Sequence, residues 1–257
     1  MNVRRKIFFA FFLFTFTVVP HLAWAQTGGA GDSPIARPMV LLITLAALSL
    51  VPFIVVMVTS FVKIVVVLAF IRTALGTQQI PPNQVITGMA LVLTIYVMLP
   101  VALDIKHNVD SIVQTRTGKP LVSNASVELI LKGVKQGREP LRKFLLVHTH
   151  KNERKMFFSI GRKMRKPEDR DKLNDQDFSV IVPGFIVSEL KEAFQIGFII
   201  FLPFLVIDMV VANILLSLGM FMVSPVTISL PFKILLFVLV DGWHLIVQGL
   251  MIGYIPK

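Results

Sequence analysis

The chain has 257 residues, of which 54% are hydrophobic and 16% charged, with a formal net charge of +11 and no cysteine. A mean hydropathy of +0.75 lies outside the range of soluble globular domains, so the composition indicates a membrane protein. The lack of cysteine excludes disulfides, thiolate metal sites and cysteine nucleophiles.

The first 25 residues have the pattern of a secretory signal. Residues 4–6 are basic, residues 7–19 form an apolar core, and Ala23-Trp24-Ala25 offers a small-x-small cleavage site. The apolar core is shorter than the ~20 residues that cross a bilayer. We therefore expect residues 1–25 to be a cleaved signal peptide, with an uncleaved first membrane helix as the alternative.

Two apolar helices are predicted next. Residues 26–38 contain Gly, Ser and Pro without apolar periodicity and predict a linker. The apolar block 39–103 is divided by the polar turn GTQQIPPNQ at 76–84, which predicts a first helical hairpin. Its first arm is longer than one ~20-residue span and contains Pro52, so we expect two helical pieces there.

Residues 104–177 differ from the rest of the chain because they carry 17 Lys and Arg against 10 Asp and Glu. Their amphipathic stretches predict a basic, water-facing helical subdomain. Cleavage of the signal would place this subdomain on the periplasmic side, against a positive-inside tendency that long loops largely escape.

Residues 178–257 are apolar again and predict a second helical hairpin, with a Met-rich turn at 219–229 and a last helix at 230–255. The expected fold class is therefore an all-α membrane protein, in which two long bent helical hairpins flank the water-facing subdomain.

Asp208 and Lys233 lie at equal height in this hairpin, because their numbers average to the middle of the turn. Charges removed from water must be paired, so we expect an ion pair within one subunit or between neighbouring subunits. Two alternatives remain: the residues mark helix ends at the membrane surface, or Asp208 belongs to a proton relay.

Five further charges interrupt the apolar blocks. Pairing between blocks or between subunits is expected for Lys63, Glu189, Lys191 and Glu192, with exposure at a helix start as the alternative for the last three. Asp241 has no charged residue at equal height in its own hairpin. We expect it to meet another copy or another protein.

The turn of the second hairpin is apolar, which is unusual for a loop. We expect Met220, Phe221 and Met222 to lie in lipid, in protein or around a closable channel. Methionine is flexible and suits a constriction that deforms. Ordinary packing at a buried helix corner is the alternative.

Catalytic patterns are missing from the sequence. The five histidines are scattered, and neither a Ser/His/Asp spacing nor a Gly-rich phosphate loop occurs. No enzyme activity, cofactor or metal is predicted, although His148 and His150 were weighed as a metal pair. The basic subdomain lacks interleaved aromatic residues, so nucleic-acid binding is not predicted.

Several long motifs together resemble the FliP/SctR family, the P or R component of the type III export gate in flagella and injectisomes. They cover nearly the whole chain after the signal and occur at residues 59–63, 75–84, 183–197, 204–209 and 230–243.

This resemblance implies a non-enzymatic, protein-conducting gate in the bacterial inner membrane, multi-pass and partly periplasmic. It implies about five copies in a helical, channel-forming assembly. The implied partners are Q/S-type and R/T-type gate subunits, B/U-type and A/V-type export components, and secreted protein substrates.

In this family a Met-rich turn narrows the pore as a gasket, and that role falls on Met220 and Met222. Phe221 replaces a third Met of many relatives, which predicts a stiffer gasket. Residues 59–67 and 224–229 favour the injectisome branch, whereas Gly76-Thr77 and the signal peptide are more like the flagellar branch. A small proton-coupled secondary transporter is the competing function.

Overall fold

The computed structural model describes residues 36–77, 80–113 and 124–255. Within these residues the chain forms eight α-helices, one short 3-10 helix and no strand, so the predicted all-α membrane class is confirmed. The expected signal peptide at 1–25 and the linker residues 26–35 lie outside the described residues.

The first apolar block forms three helices, α1 (Ala36–Met57), α2 (Phe61–Ala74) and α3 (Asn83–Val113). The chain divides into two compact units between Val51 and Pro52, inside α1. Pro52 does not interrupt the helix. The break comes at residues 58–60 instead, where Ser60 caps α2 and its carbonyl accepts the Ile64 N–H at 3.3 Å.

The basic subdomain consists of α4 (Asn124–His148), α5 (Lys151–Met164) and a 3-10 turn at Pro167–Asp169. The boundary expected at residue 103 does not end a helix, because α3 continues to Val113. Residues 104–113 contain neither Gly nor Pro, so no residue there opposes helix propagation.

The second hairpin consists of α6 (Phe178–Ser217), α7 (Pro225–Leu239) and α8 (Gly242–Ile252). With 40 residues, α6 is about 60 Å long. The hydrocarbon core of a bilayer is about 30 Å thick, so only part of α6 can lie within it.

The last helix differs from the single helix expected at 230–255. Pro225 starts α7, which shortens the turn, and α7 and α8 are bent by 60° at a break. The break is at Asp241, whose φ of 49° and ψ of 52° are left-handed and incompatible with a continuous α-helix.

Two helical stretches, Asn83–Asn108 and Phe178–Ser217, are long and apolar enough to cross a membrane. The number rises to four if each of two bent pairs counts as one span, namely Leu48–Met57 with Phe61–Ala74 and Pro225–Leu239 with Gly242–Ile252. Large apolar side chains are exposed along α6 and α7, as expected for surfaces that face lipid or other subunits.

The core of the second unit lies where α2 packs on α6. Buried side chains from both helices form it, among them Ile64, Leu68, Ile181 and Phe185. The helices approach closely at Gly197, where an added Cβ would lie 2.5 Å from the Phe70 ring. This contact fixes α2 alongside the first half of α6 and positions the charged residues described next.

Candidate functional site

Lys63 lies at the centre of a buried charge cluster between α2 and α6. Only 1% of Lys63 and none of Glu189 is exposed. The Lys63 Nζ lies 3.6 Å from Glu189 Oε1 and donates a hydrogen bond to Glu192 Oε2. Two carboxylates therefore balance one buried ammonium, as the cost of removing charges from water demands.

The C-terminal turn contributes Tyr254 to this cluster. Its phenol donates a hydrogen bond to Glu189 Oε2, and the Lys63 Nζ lies 4.5 Å from the centre of its ring. The ring face attracts the ammonium through a cation–π interaction. Three segments that are distant in sequence thus meet at Lys63.

The junction between α4 and α5 is tied to the same cluster. The His150 Nε2 lies 2.8 Å from Glu192 Oε1, so Glu192 contacts both His150 and Lys63. The His150 backbone N–H donates to Ser188 Oγ at 2.9 Å, and Ser188 in turn donates to the Gly184 carbonyl. These bonds attach the basic subdomain to α6.

His148 lies next to the cluster, with ring-centre distances of 4.7 Å to Phe144 and 5.1 Å to Tyr254. Burial lowers the pKa of His148 below its usual 6.5, and the positive charge of Lys63 lowers it further, against a smaller opposing effect of Glu192. The neutral imidazole is therefore favoured at this position.

A second cluster joins the two arms of the second hairpin. The Lys233 Nζ lies 2.6 Å from Asp208 Oδ2, and the Ser229 hydroxyl donates to Asp208 Oδ1. The turn of the first hairpin lies beside it, because a Cβ added to Gly76 would be 3.7 Å from the Lys233 Nζ. This pair therefore forms within one chain.

The turn beyond this cluster exposes three consecutive apolar side chains. The exposed fractions are 45% for Met220, 76% for Phe221 and 98% for Met222. Gly219, with a φ of 74°, ends α6 and directs the chain into the turn. The second hairpin thus ends in an exposed apolar tip, formed by residues 220–222.

Two residues singled out from the sequence lie outside both clusters. Lys191 is exposed and its Nζ lies 3.2 Å from Glu153 Oε1 of α5. Asp241 is exposed at the break between α7 and α8, and its carboxylate has no ion pair or side-chain hydrogen bond with any residue that the structure describes.

Three contacting residues were not singled out from the sequence, namely Ser229, His150 and Tyr254. A signal exists for Ser229, because it precedes Lys233 by one helical turn and lies on the same face of α7. The contacts of His150 and Tyr254 depend on how separate segments pack, which no local pattern reports.

The geometry of the clusters suits a structural role. Glu189, Glu192 and Asp208 each contact a cation together with a phenol, an imidazole or a hydroxyl. Across the described residues, no group of three or more His, Asp or Glu side chains is arranged to hold a metal ion. The clusters fix the positions of the helices and leave the apolar tip exposed.

Comparison with known proteins places this architecture in a family. The FliP family model matches residues 44–250. The "Yop proteins translocation protein R" of Yersinia pestis is 45% identical over 214 residues, covering 83% of this chain and 95% of the relative.

Two further relatives show the breadth of the family. The "Flagellar biosynthetic protein FliP" of Bacillus subtilis is 46% identical over 211 residues, covering 82% of this chain and 89% of the relative. The "Hypersensitivity response secretion protein HrcR" of Ralstonia nicotianae is 37% identical over 214 residues, covering 83% and 96%. The chain belongs to the FliP family, the type III secretion export-gate family with injectisome and flagellar forms.

Proposed function

We propose that this chain is a pore-forming subunit of a type III protein-export gate, in which several copies surround the channel that secreted proteins enter. The apolar tip carries the proposal. Three exposed apolar side chains at a turn are costly in water, and identical tips that converge on one axis would cover one another.

The chemistry of the tip suits a constriction. The unbranched thioether side chains of Met220 and Met222 can repack around different passengers, whereas the Phe221 ring is stiffer. The Asp208–Lys233 pair lies behind the tip and holds the two helices of the hairpin together. The tip can therefore deform while its support stays fixed.

The rest of the surface agrees with assembly in a membrane. The family and the apolar helices make this an inner-membrane, multi-pass protein. The exposed apolar sides of α6 and α7 offer contact surfaces for other copies and for Q/S-type and R/T-type subunits. We further propose that the basic subdomain lies on the periplasmic side, and that B/U-type and A/V-type components join the assembly.

We place the chain in the injectisome branch because of its residues 59–67 and 224–229. The identities of 45% to a translocation protein and 46% to a flagellar protein are too similar to separate the branches. Complementation decides the point: the gene should restore secretion in a bacterium that lacks its injectisome R component and should not restore motility to one that lacks its flagellar P component.

The channel is tested by ion conductance of the isolated assembly in planar bilayers. The double variant Met220→Ala/Met222→Ala should raise the resting conductance without preventing assembly. Met156→Ala/Met164→Ala is the matched control, because those methionines are exposed on α5. A resting conductance equal to that of the unmodified assembly would contradict the constriction.

Native mass spectrometry tests the assembly itself. A multi-copy complex with smaller membrane partners is expected. A monomer or dimer that moves small solutes in response to pH would instead favour the proton-coupled transporter.

A further inference from the structure

We propose that Arg72 of one copy forms an ion pair with Asp241 of the neighbouring copy. This inference rests on the proposed multi-copy assembly and names the side chains that join adjacent subunits. It follows from the heights of the two residues along α6, from their charges and from their contacts within one chain.

The height of Arg72 follows from the packing of α2 on α6. Lys63 contacts Glu189 and Glu192, and seven residues later the Phe70 ring lies 5.1 Å from the Phe194 ring and against Gly197. The two helices therefore run in parallel. Arg72, two residues beyond Phe70, lies level with residues 198–199 of α6.

The height of Asp241 follows from the antiparallel hairpin. Lys233 of α7 contacts Asp208 of α6, so each step forward along α7 corresponds to a step back along α6. Asp241 follows Lys233 by eight residues and therefore lies level with Ile200. Arg72 and Asp241 thus lie within about one helical turn, ~5 Å, of the same height.

Neither side chain meets an opposite charge in its own chain, as far as the described residues extend. The Arg72 guanidinium donates a hydrogen bond to the neutral amide of Asn83. The Asp241 carboxylate is exposed between the apolar helices α7 and α8, on a left-handed backbone that breaks the span. A carboxylate in such apolar surroundings is stabilised only when a cation reaches it.

Symmetry brings the two residues together. Copies arranged around one axis along the channel keep nearly equal heights, so a residue on one flank meets residues of similar height on the facing flank of the next copy. Such head-to-tail contacts join different patches, as Arg72 on α2 and Asp241 beyond α7 require. Arginine also matches a carboxylate with two parallel hydrogen bonds.

Cross-linking between differently tagged copies tests the contact. The chain contains no cysteine, so Arg72→Cys in one tagged copy and Asp241→Cys in the other provide the only thiols of this subunit. A short bismaleimide should join the two tags in the isolated assembly. Lys155→Cys paired with Asp241→Cys is the mismatched control and should not cross-link.

The control lies at a different height. Arg154 packs against Gly184, which places the neighbouring Lys155 near residue 183 of α6, about 25 Å from the level of Asp241. A reagent that only samples mobile or denatured copies would join both pairs equally, and that result would overturn the proposal.

Charge reversal provides a second measurement. Arg72→Glu and Asp241→Arg should each lower the assembled fraction at least about tenfold, because each leaves two like charges in contact. Combining them in one chain should restore most of the assembly. A double variant as defective as the single variants would overturn the pairing.

The copy number separates the two proposals. If native mass spectrometry shows a multi-copy complex that gives no Arg72–Asp241 cross-link, the pairing is wrong and the export-gate function stands. If the unmodified protein is monomeric, both proposals are wrong.

Discussion

Lys233 and Asp208 form an ion pair across the second hairpin, with Nζ and Oδ2 2.6 Å apart and the Ser229 hydroxyl on the other carboxylate oxygen. The turn of the first hairpin lies beside the ammonium at Gly76. The pair thus joins α6 to α7 and lies against the first hairpin. Its loss should loosen the support of the apolar tip.

Removing one member of this pair should be much worse than removing both. Lys233→Met leaves the Asp208 carboxylate without its cation, and we expect the free energy of unfolding in detergent to fall by about 3–5 kcal/mol. Lys233→Met/Asp208→Asn should recover most of that loss. Thermal and denaturant unfolding measured by circular dichroism would check both values.

An exposed ion pair supplies the control. Lys191→Met removes the contact with Glu153 on the surface, and we expect less than about 1 kcal/mol of destabilisation. Equal losses for the buried and the exposed pair would mean that the Asp208–Lys233 contact does not support the hairpin.

The two tyrosines of the chain should respond very differently to loss of their hydroxyls. Tyr254→Phe removes the hydrogen bond to the buried Glu189, and we expect a loss of about 1–3 kcal/mol. Tyr96 is 70% exposed, so Tyr96→Phe should leave the unfolding free energy unchanged. Protection of α8 from hydrogen exchange should fall only in the Tyr254 variant.

Two glycines on helices test the close approach of α2 to α6. A Cβ at Gly197 would lie 2.5 Å from the Phe70 ring, so Gly197→Ala should destabilise the protein by about 1–3 kcal/mol. Gly88 has no atom within 4 Å of such a Cβ, so Gly88→Ala should be neutral or slightly stabilising through helix propensity. If both variants were neutral, the packing at Phe70 would be looser than the structure has it.

The Asp208–Lys233 contact was within reach of the sequence because a short turn joins the two helices. In a hairpin, counting from the turn gives the heights of both arms, and the charges then single out the pair. For Lys63 the sequence offered only pairing between blocks or between subunits. The register of α2 on α6 depends on packing at Phe70 and Gly197, and no count along the chain supplies it.

Other features left no local signal. Tyr254 contacts Glu189 from 65 residues away, so only the complete fold brings them together. The break at Asp241 requires a positive φ in a residue other than glycine, which an apolar pattern does not report. The all-helical class, by contrast, follows from long apolar blocks that must satisfy their own backbone hydrogen bonds in lipid.

The stability of the protein should depend on pH through His148. Lys63 of α2, Glu192 of α6 and Tyr254 of the C-terminal turn face its ring, and burial together with Lys63 lowers its pKa from 6.5. Below about pH 6.5 the unfolded chain binds a proton at this position that the folded chain does not bind. The free energy of unfolding should therefore fall as the pH decreases from 6.5, and this contribution should level off below the folded pKa.

His148→Gln isolates this effect, because glutamine does not titrate. The difference between the unfolding free energies of the unmodified protein and the variant should be constant above pH 7 and should shrink as the pH falls below 6.5. His107, exposed on α3, supplies the matched control, and His107→Gln should keep the pH dependence of the unmodified protein. A difference that grows toward low pH would mean that the charged imidazole is favoured beside Glu192, contrary to the dominance of burial and Lys63.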